Sequence, residues 1–157
     1  MLRHAVFAAC AVTVLAGQTW AEIAPADIVW QEGAIAQPLA DQPGDPESGK
    51  KIMTTNALGN CVACHLIGTM PDVQFQGNIG PALDGAASRY TEAQLRGIVV
   101  DSKKTFEGTE MPAMYKTSGF IRPGNAYTGK AAPADLPPIL SAQQIEDVVA
   151  YLLTLKE

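Results

Sequence analysis

The chain has 157 residues, 16 acidic against 11 basic side chains, and a formal net charge of −5. That length, with 47% hydrophobic residues, suits one domain with a modest core. No basic run, Gly-rich phosphate loop or internal repeat accompanies the acidic balance, so nucleic acid and nucleotide phosphates are poor partners.

Residues 1–21 read as a secretory signal. Arg3 and His4 form a short positive start, Ala5 to Ala16 an apolar stretch, and Thr19-Trp20-Ala21 places small residues three and one positions before a cut at Glu22. An apolar run of about twelve residues is too short to span a bilayer, so no membrane span is expected. Cys10 lies inside the apolar stretch, which argues against a lipoprotein site. Cleavage leaves 136 of the 157 residues, removes Arg3, and sets the charge at about −6, ten basic against sixteen acidic. The expected location is the periplasm.

Residues 22–44 contain Pro25, Pro38 and Pro43 without a sustained apolar period and read as an extended N-terminal arm, a disordered leader being the alternative. Asp45-Pro46-Glu47 then supplies an N-cap, a proline at the first helical position and an acid in the first turn. The helix they open is expected to run to about Leu58, with Gly59 as its stop.

Cys61-Val62-Ala63-Cys64-His65 follows. Cys-x-x-Cys-His is the attachment signal of a c-type haem: each thiol adds to one vinyl group and the adjacent imidazole meets the iron. A zinc half-site would need a second ligand pair, which is missing, and a thioredoxin-like pair would need a βαβ junction. A structural disulfide is the remaining alternative.

Met70-Pro71 and Gly77 to Pro81 mark irregular backbone. Thr91-Glu92-Ala93-Gln94 is a capping box opening a helix to about Val100, with Leu95, Ile98 and Val99 on its apolar side. Between Met114 and Ser141, seven Gly and Pro residues predict a long ordered loop. Ser141-Ala142-Gln143-Gln144 is a second capping box, and Ile145, Val148, Val149, Leu152 and Leu155 continue it at helical spacing. No segment carries a strong strand period.

Once the signal is gone, two Cys and one His remain, all within Cys61 to His65. A second His cannot ligate the iron, so methionine is the leading candidate for the sixth position. Met70 is too close in sequence to His65 to reach the opposite haem face, and Met53 sits in the first helix as a core residue. Met111 lies between flexible Gly108-Thr109-Glu110 and Pro112, which favours extended backbone; Met114 remains the alternative. A His/Met pair raises the reduction potential and leaves no open position at the iron. With no free His or Cys, electron transfer follows more naturally than catalysis, and no catalytic residue is assigned. Lys50, Lys51, Lys103, Lys104 and Lys116 could ring a haem edge, scattered surface charge being the simpler reading.

In order, Gly49 in the first helix, CVACH, Gly80-Pro81-Ala82-Leu83, Met111-Pro112 and Tyr151-Leu152 in the last helix resemble class I cytochromes c over nearly all of the chain after Asp45. The resemblance implies an all-α fold, helices wrapped around one covalent haem c, with the arm and the Gly/Pro-rich loop as additions. It divides the chain into a signal peptide (1–21), an arm (22–44) and a mono-haem cytochrome c domain (45–157). It assigns Cys61 and Cys64 to covalent haem and His65 and Met111 to the iron. It also assigns the Pro81 carbonyl to His65 Nδ1–H, and Gly49 to close packing with Tyr151.

Within class I, the run from Gly108 to Tyr115, the loop after it and the ending Ile145 to Leu152 are similar to SoxX, the mono-haem subunit family of SoxAX complexes. That resemblance implies a heterodimer with a larger SoxA-like c-type cytochrome that carries the catalytic haem. The implied reaction is oxidative conjugation of thiosulfate to a cysteine of a sulfur-carrier protein, an L-cysteine S-thiosulfotransferase activity. This chain would accept the electrons and pass them to a downstream acceptor. The alternatives are a freestanding periplasmic electron shuttle and a haem peroxidase that would have to displace Met111. Trimming the arm or the loop is expected to weaken complex formation without loss of haem.

Overall fold

Asp45 starts the first helix as its local chemistry predicts. Its carboxylate accepts from the backbone N–H of Glu47 and Ser48 and from the Ser48 hydroxyl, and Pro46 takes the first helical position. These contacts hold its pKa below the usual carboxylate range, the Ser48 hydroxyl contributing most. In the computed structural model, which describes residues 21–121, 123 and 128–156, the helices are α1 (Pro46–Thr54), α2 (Ala86–Arg89), α3 (Glu92–Asp101) and α4 (Ala142–Leu152). Among the described residues there is no strand, only an isolated antiparallel bridge between Gln31 and Ala34. The export segment with Arg3, His4 and Cys10 lies outside the described residues, as do parts of the Gly/Pro-rich loop.

Helix α1 ends at Thr54 rather than near Leu58. The physical reason is a pair of threonines whose hydroxyls bond back to the carbonyls of Lys50 and Lys51, while Thr55 turns into extended backbone. Both capping boxes are complete, Thr91 with Gln94 and Ser141 with Gln144, each bonding reciprocally. Helix α3 turns its faces differently from the expectation. Leu95 and Val99 are buried with Arg96, Gly97 and Val100, while Ile98 is half-exposed.

The core runs between α1, α3 and α4, with Ile52, Met53, Leu95, Val99, Ile145, Val148, Val149 and Leu152 all buried. Helices α1 and α4 cross at backbone contact. A Cβ on Gly49 would lie 2.0 Å from the Asp147 carbonyl oxygen and 3.0 Å from Tyr151 Cβ, so only hydrogen fits at this crossing.

The arm is extended and packs into this core. Ile35 and Leu39 are fully buried, contributing roughly 1.5–3 kcal/mol each by removal of apolar surface from water. Its backbone bonds to α3 through Ile35 N–H to the Ala93 carbonyl. Beneath it, Arg96 and Glu146 form a buried pair: Nε and Nη2 donate to the two carboxylate oxygens at 2.8 and 2.9 Å, and Nη1 donates to the Ile35 carbonyl at 2.9 Å. Glu146 Oε1 also accepts the Leu39 N–H at 2.8 Å. Glu146 and Glu92 keep the Arg96 guanidinium charged despite the opposing effect of desolvation.

Candidate haem site

The haem motif begins where Asn60, with φ 45°, turns the chain into a 3-10 turn over Cys61–Ala63. Cys64 and His65 both donate backbone N–H to the Cys61 carbonyl, at 3.1 and 3.0 Å. This tight turn brings two free, half-buried thiols and one imidazole together. Burial pushes the Cys61 thiol up to about 11.

His65 Nδ1 lies 2.7 Å from the Pro81 carbonyl oxygen. A carbonyl can only accept, so the proton sits on Nδ1 and the Nε2 lone pair is free for a metal. Gly80 permits this approach: a Cβ there would stand 2.3 Å from His65 Cε1 and 2.6 Å from Nδ1. The loop between motif and Pro81 is held by Gln76, a residue that sequence patterns did not single out. Its side-chain amide accepts from Ile67 N–H at 2.6 Å and donates to the Met70 carbonyl at 2.9 Å and the Val73 carbonyl at 3.2 Å. Gly77 N–H and Gly80 N–H then bond to the Val62 and Cys64 carbonyls, closing the loop onto the motif.

Of the methionines in the described chain, Met53, Met70 and Met114 are sealed in the core, Met114 at 5% exposure. Met111 is half-buried and on an irregular segment. Its carbonyl accepts from the buried Ser102 hydroxyl at 3.0 Å and from Lys103 Nζ at 2.7 Å, and its N–H donates to Thr109 Oγ1 at 3.3 Å. Downstream, Tyr115 N–H bonds to the Val100 carbonyl and Leu140 N–H to the Met114 carbonyl, so the long loop departs from and returns to the core beside α3. The Tyr115 hydroxyl donates to the Ile23 carbonyl at 2.8 Å, and burial, then Glu22, raises its pKa. Lys104 lies over the Trp30 ring and Lys116 over Phe120, so these lysines have local aromatic partners.

The donor set fits a c-type haem. It offers two thiols, an imidazole in the metal-binding tautomer and a loop methionine outside the core. Exposed apolar side chains also follow the motif, Phe75 at 97% and Ile79 at 77%. Among the described residues no group of three or more His, Cys, Asp or Glu could hold a bare metal ion, which disfavours the zinc alternative.

A family model for cytochrome c matches residues 46–156. The chain belongs to the cytochrome c family. Its cofactor is therefore covalently bound haem c. The solved structure described as the crystal structure of SoxXA from P. pantotrophus contains a chain 64% identical to this one. The match has a TM-score of 0.84 and covers 87% of this chain and all of that one. The comparison with curated proteins returns no match. No helix among the described residues is long and apolar enough to cross a membrane.

Proposed function

We propose that this chain is the mono-haem electron-transfer subunit of a SoxAX-type complex, paired with a SoxA-like c-type cytochrome. The observation that carries the reading is the 64% identity to a chain of SoxXA over that chain's whole length. In this reading Cys61 and Cys64 would hold the haem through thioethers, and His65, aligned by the Pro81 carbonyl, and Met111 would be the iron's protein ligands. The haem would supply a one-electron iron couple at raised potential. The protein's part is to present both donors and to keep the His65 Nε2 lone pair available by committing the ring's N–H to Pro81.

The chain accepts electrons released as thiosulfate is joined oxidatively to a carrier-protein cysteine, and a downstream acceptor drains them. The partner carries the catalytic haem. Export by a cleaved segment of residues 1–21 places the assembly in the periplasm, with residues 22–44 as the arm and 45–157 as the haem domain. The freestanding shuttle is disfavoured, because the identity extends beyond the generic haem motif to the whole matched chain.

Affinity purification from the native periplasm, followed by haem staining, tests the assignment. A second, larger haem-staining chain in near one-to-one ratio is the expected result. Recovery of a lone haem protein would return the reading to a shuttle.

A further inference from the structure

We propose that Ser102 and Lys103 are positioning residues for the distal axial ligand, acting through a double hydrogen bond to the Met111 carbonyl. The inference rests on the reading of Met111 as that ligand. The Met111–Pro112 peptide has an acceptor but no N–H, so the carbonyl is its only polar handle. Two donors take it from consecutive residues, the Ser102 hydroxyl at 3.0 Å and Lys103 Nζ at 2.7 Å.

Both donors sit on the 3-10 turn Ser102–Lys104 that directly continues α3, with Ser102 buried and Lys103 exposed. Ser102 is 0% exposed. Its own carbonyl accepts the N–H of Thr105 at 3.1 Å and of Phe106 at 2.8 Å, so this one residue fastens the start of the 102–111 loop as well as its end. Between those ends Gly108 stands in open space, where a Cβ would meet nothing within 4 Å, and Thr109 N–H bonds back to the Phe106 carbonyl at 3.4 Å. The Met111 side chain is thus carried by a loop whose return point is fixed by these two donors and by Thr109. Lys103 has a defined task here, distinct from steering an acidic partner: its charge strengthens one of the two bonds. Its exposure and side-chain entropy make its share smaller than that of buried Ser102.

A ligand held by its backbone resists replacement, so the readout is competition by an external donor. Imidazole is titrated into the ferric holoprotein while the near-infrared methionine-to-iron charge-transfer band is followed. Ser102→Ala and Lys103→Ala should keep the band and bind imidazole more tightly, Ser102→Ala about fivefold, the equivalent of one net hydrogen bond lost from the competing methionine, and Lys103→Ala about twofold. Lys103→Arg, which keeps a charged donor, should restore the wild-type affinity. Asp45→Ala, which loosens α1 instead, should leave it unchanged and so separates positioning from general destabilisation. Lys103 is exposed, so its variant reports even where Ser102→Ala does not fold. Wild-type imidazole affinity in the Lys103 variant, with the band abolished by Met111→Ala, would overturn the clamp and leave the ligand reading standing. A band that survives in Met111→Ala would overturn both.

Discussion

Gly80→Ala tests the proximal side of the site by sterics alone. The added methyl would stand 2.3 Å from His65 Cε1 and 2.6 Å from Nδ1, whereas ordinary contact begins at 3.4 Å, so the ring must retreat by about 1.1 Å. A free histidine would simply swing away. His65 is not free, because Nδ1 is bonded to Pro81 at 2.7 Å and Nε2 is committed to iron in the reading above. A displacement of that size along the Nδ1–O direction takes the bond well outside hydrogen-bond range. Overpacking of this kind costs about 1–3 kcal/mol, which raises the population lacking His65 ligation roughly 5- to 150-fold. The thioethers at Cys61 and Cys64 still retain the haem, so the effect reads as ligand loss without haem loss. The assay is the optical spectrum of the ferric protein with heme staining after denaturation: full covalent haem with a partial shift from low spin to high spin is expected. A variant with the wild-type low-spin spectrum and wild-type reduction potential would refute the reasoning that Gly80 makes room for the aligned imidazole.

Three further outcomes are expected. Gly49→Ala places a Cβ 2.0 Å from the Asp147 carbonyl oxygen, a backbone atom that cannot step aside, so α1 and α4 must separate. Chemical denaturation should show a loss of about 3 kcal/mol, and an unchanged midpoint would contradict the crossing. Glu146→Gln takes from the buried Arg96 guanidinium the buried one of its two carboxylate partners, leaving the more exposed Glu92, and should cost about 3 kcal/mol in the same assay, whereas a value near zero would mean the pair is not dry. Asp45 titrates below the usual carboxylate range in the folded state, so its contribution is present above the unfolded pKa and fades as pH falls through the folded one. Asp45→Ala should therefore melt earlier than wild type at neutral pH, with the gap closing in acid; a gap that does not change with pH would contradict the capping role.

What the sequence made legible follows the range of the interactions. Both capping boxes involve groups three residues apart, and both are present with their reciprocal bonds. The haem motif was equally visible, because covalent attachment demands a fixed spacing of thiols and imidazole. The end of α1 differs from expectation at equally short range: Gly59 offers a stop, but the earlier threonine hydroxyls compete for the carbonyls first. The rest was hidden by distance. Arg96 reads as a polar interruption of α3's apolar face, and its partner Glu146 lies 50 residues on. Residues 22–44 showed their extended character in their prolines, yet nothing local announced that Ile35 and Leu39 enter the core or that Leu39 N–H caps Glu146. The expectation that trimming this arm weakens complex formation without loss of haem meets the same distance, for removal of residues 22–40 takes the buried side chains of Ile35, Leu39 and Ala40 and two buried hydrogen bonds from the core with it.

The economy of reactive groups argues for the division of labour in the proposed complex. In the proposed exported form, residues 22–157, the chain has one imidazole and two thiols, and the haem motif contains all three. The imidazole has its Nδ1–H committed to the Pro81 carbonyl at 2.7 Å, and in the proposed reading its other nitrogen would ligate the iron, leaving it no proton to relay for a substrate. In the same reading the thiols would be taken up by attachment. Arg96 and Glu146 are bonded to one another in the core, both buried. Joining sulfur to sulfur calls for a reactive thiolate, and in the proposed reading both thiols of residues 22–157 are taken up by haem attachment. That reading therefore places the bond chemistry on the partner and the carrier and leaves electron acceptance to this chain.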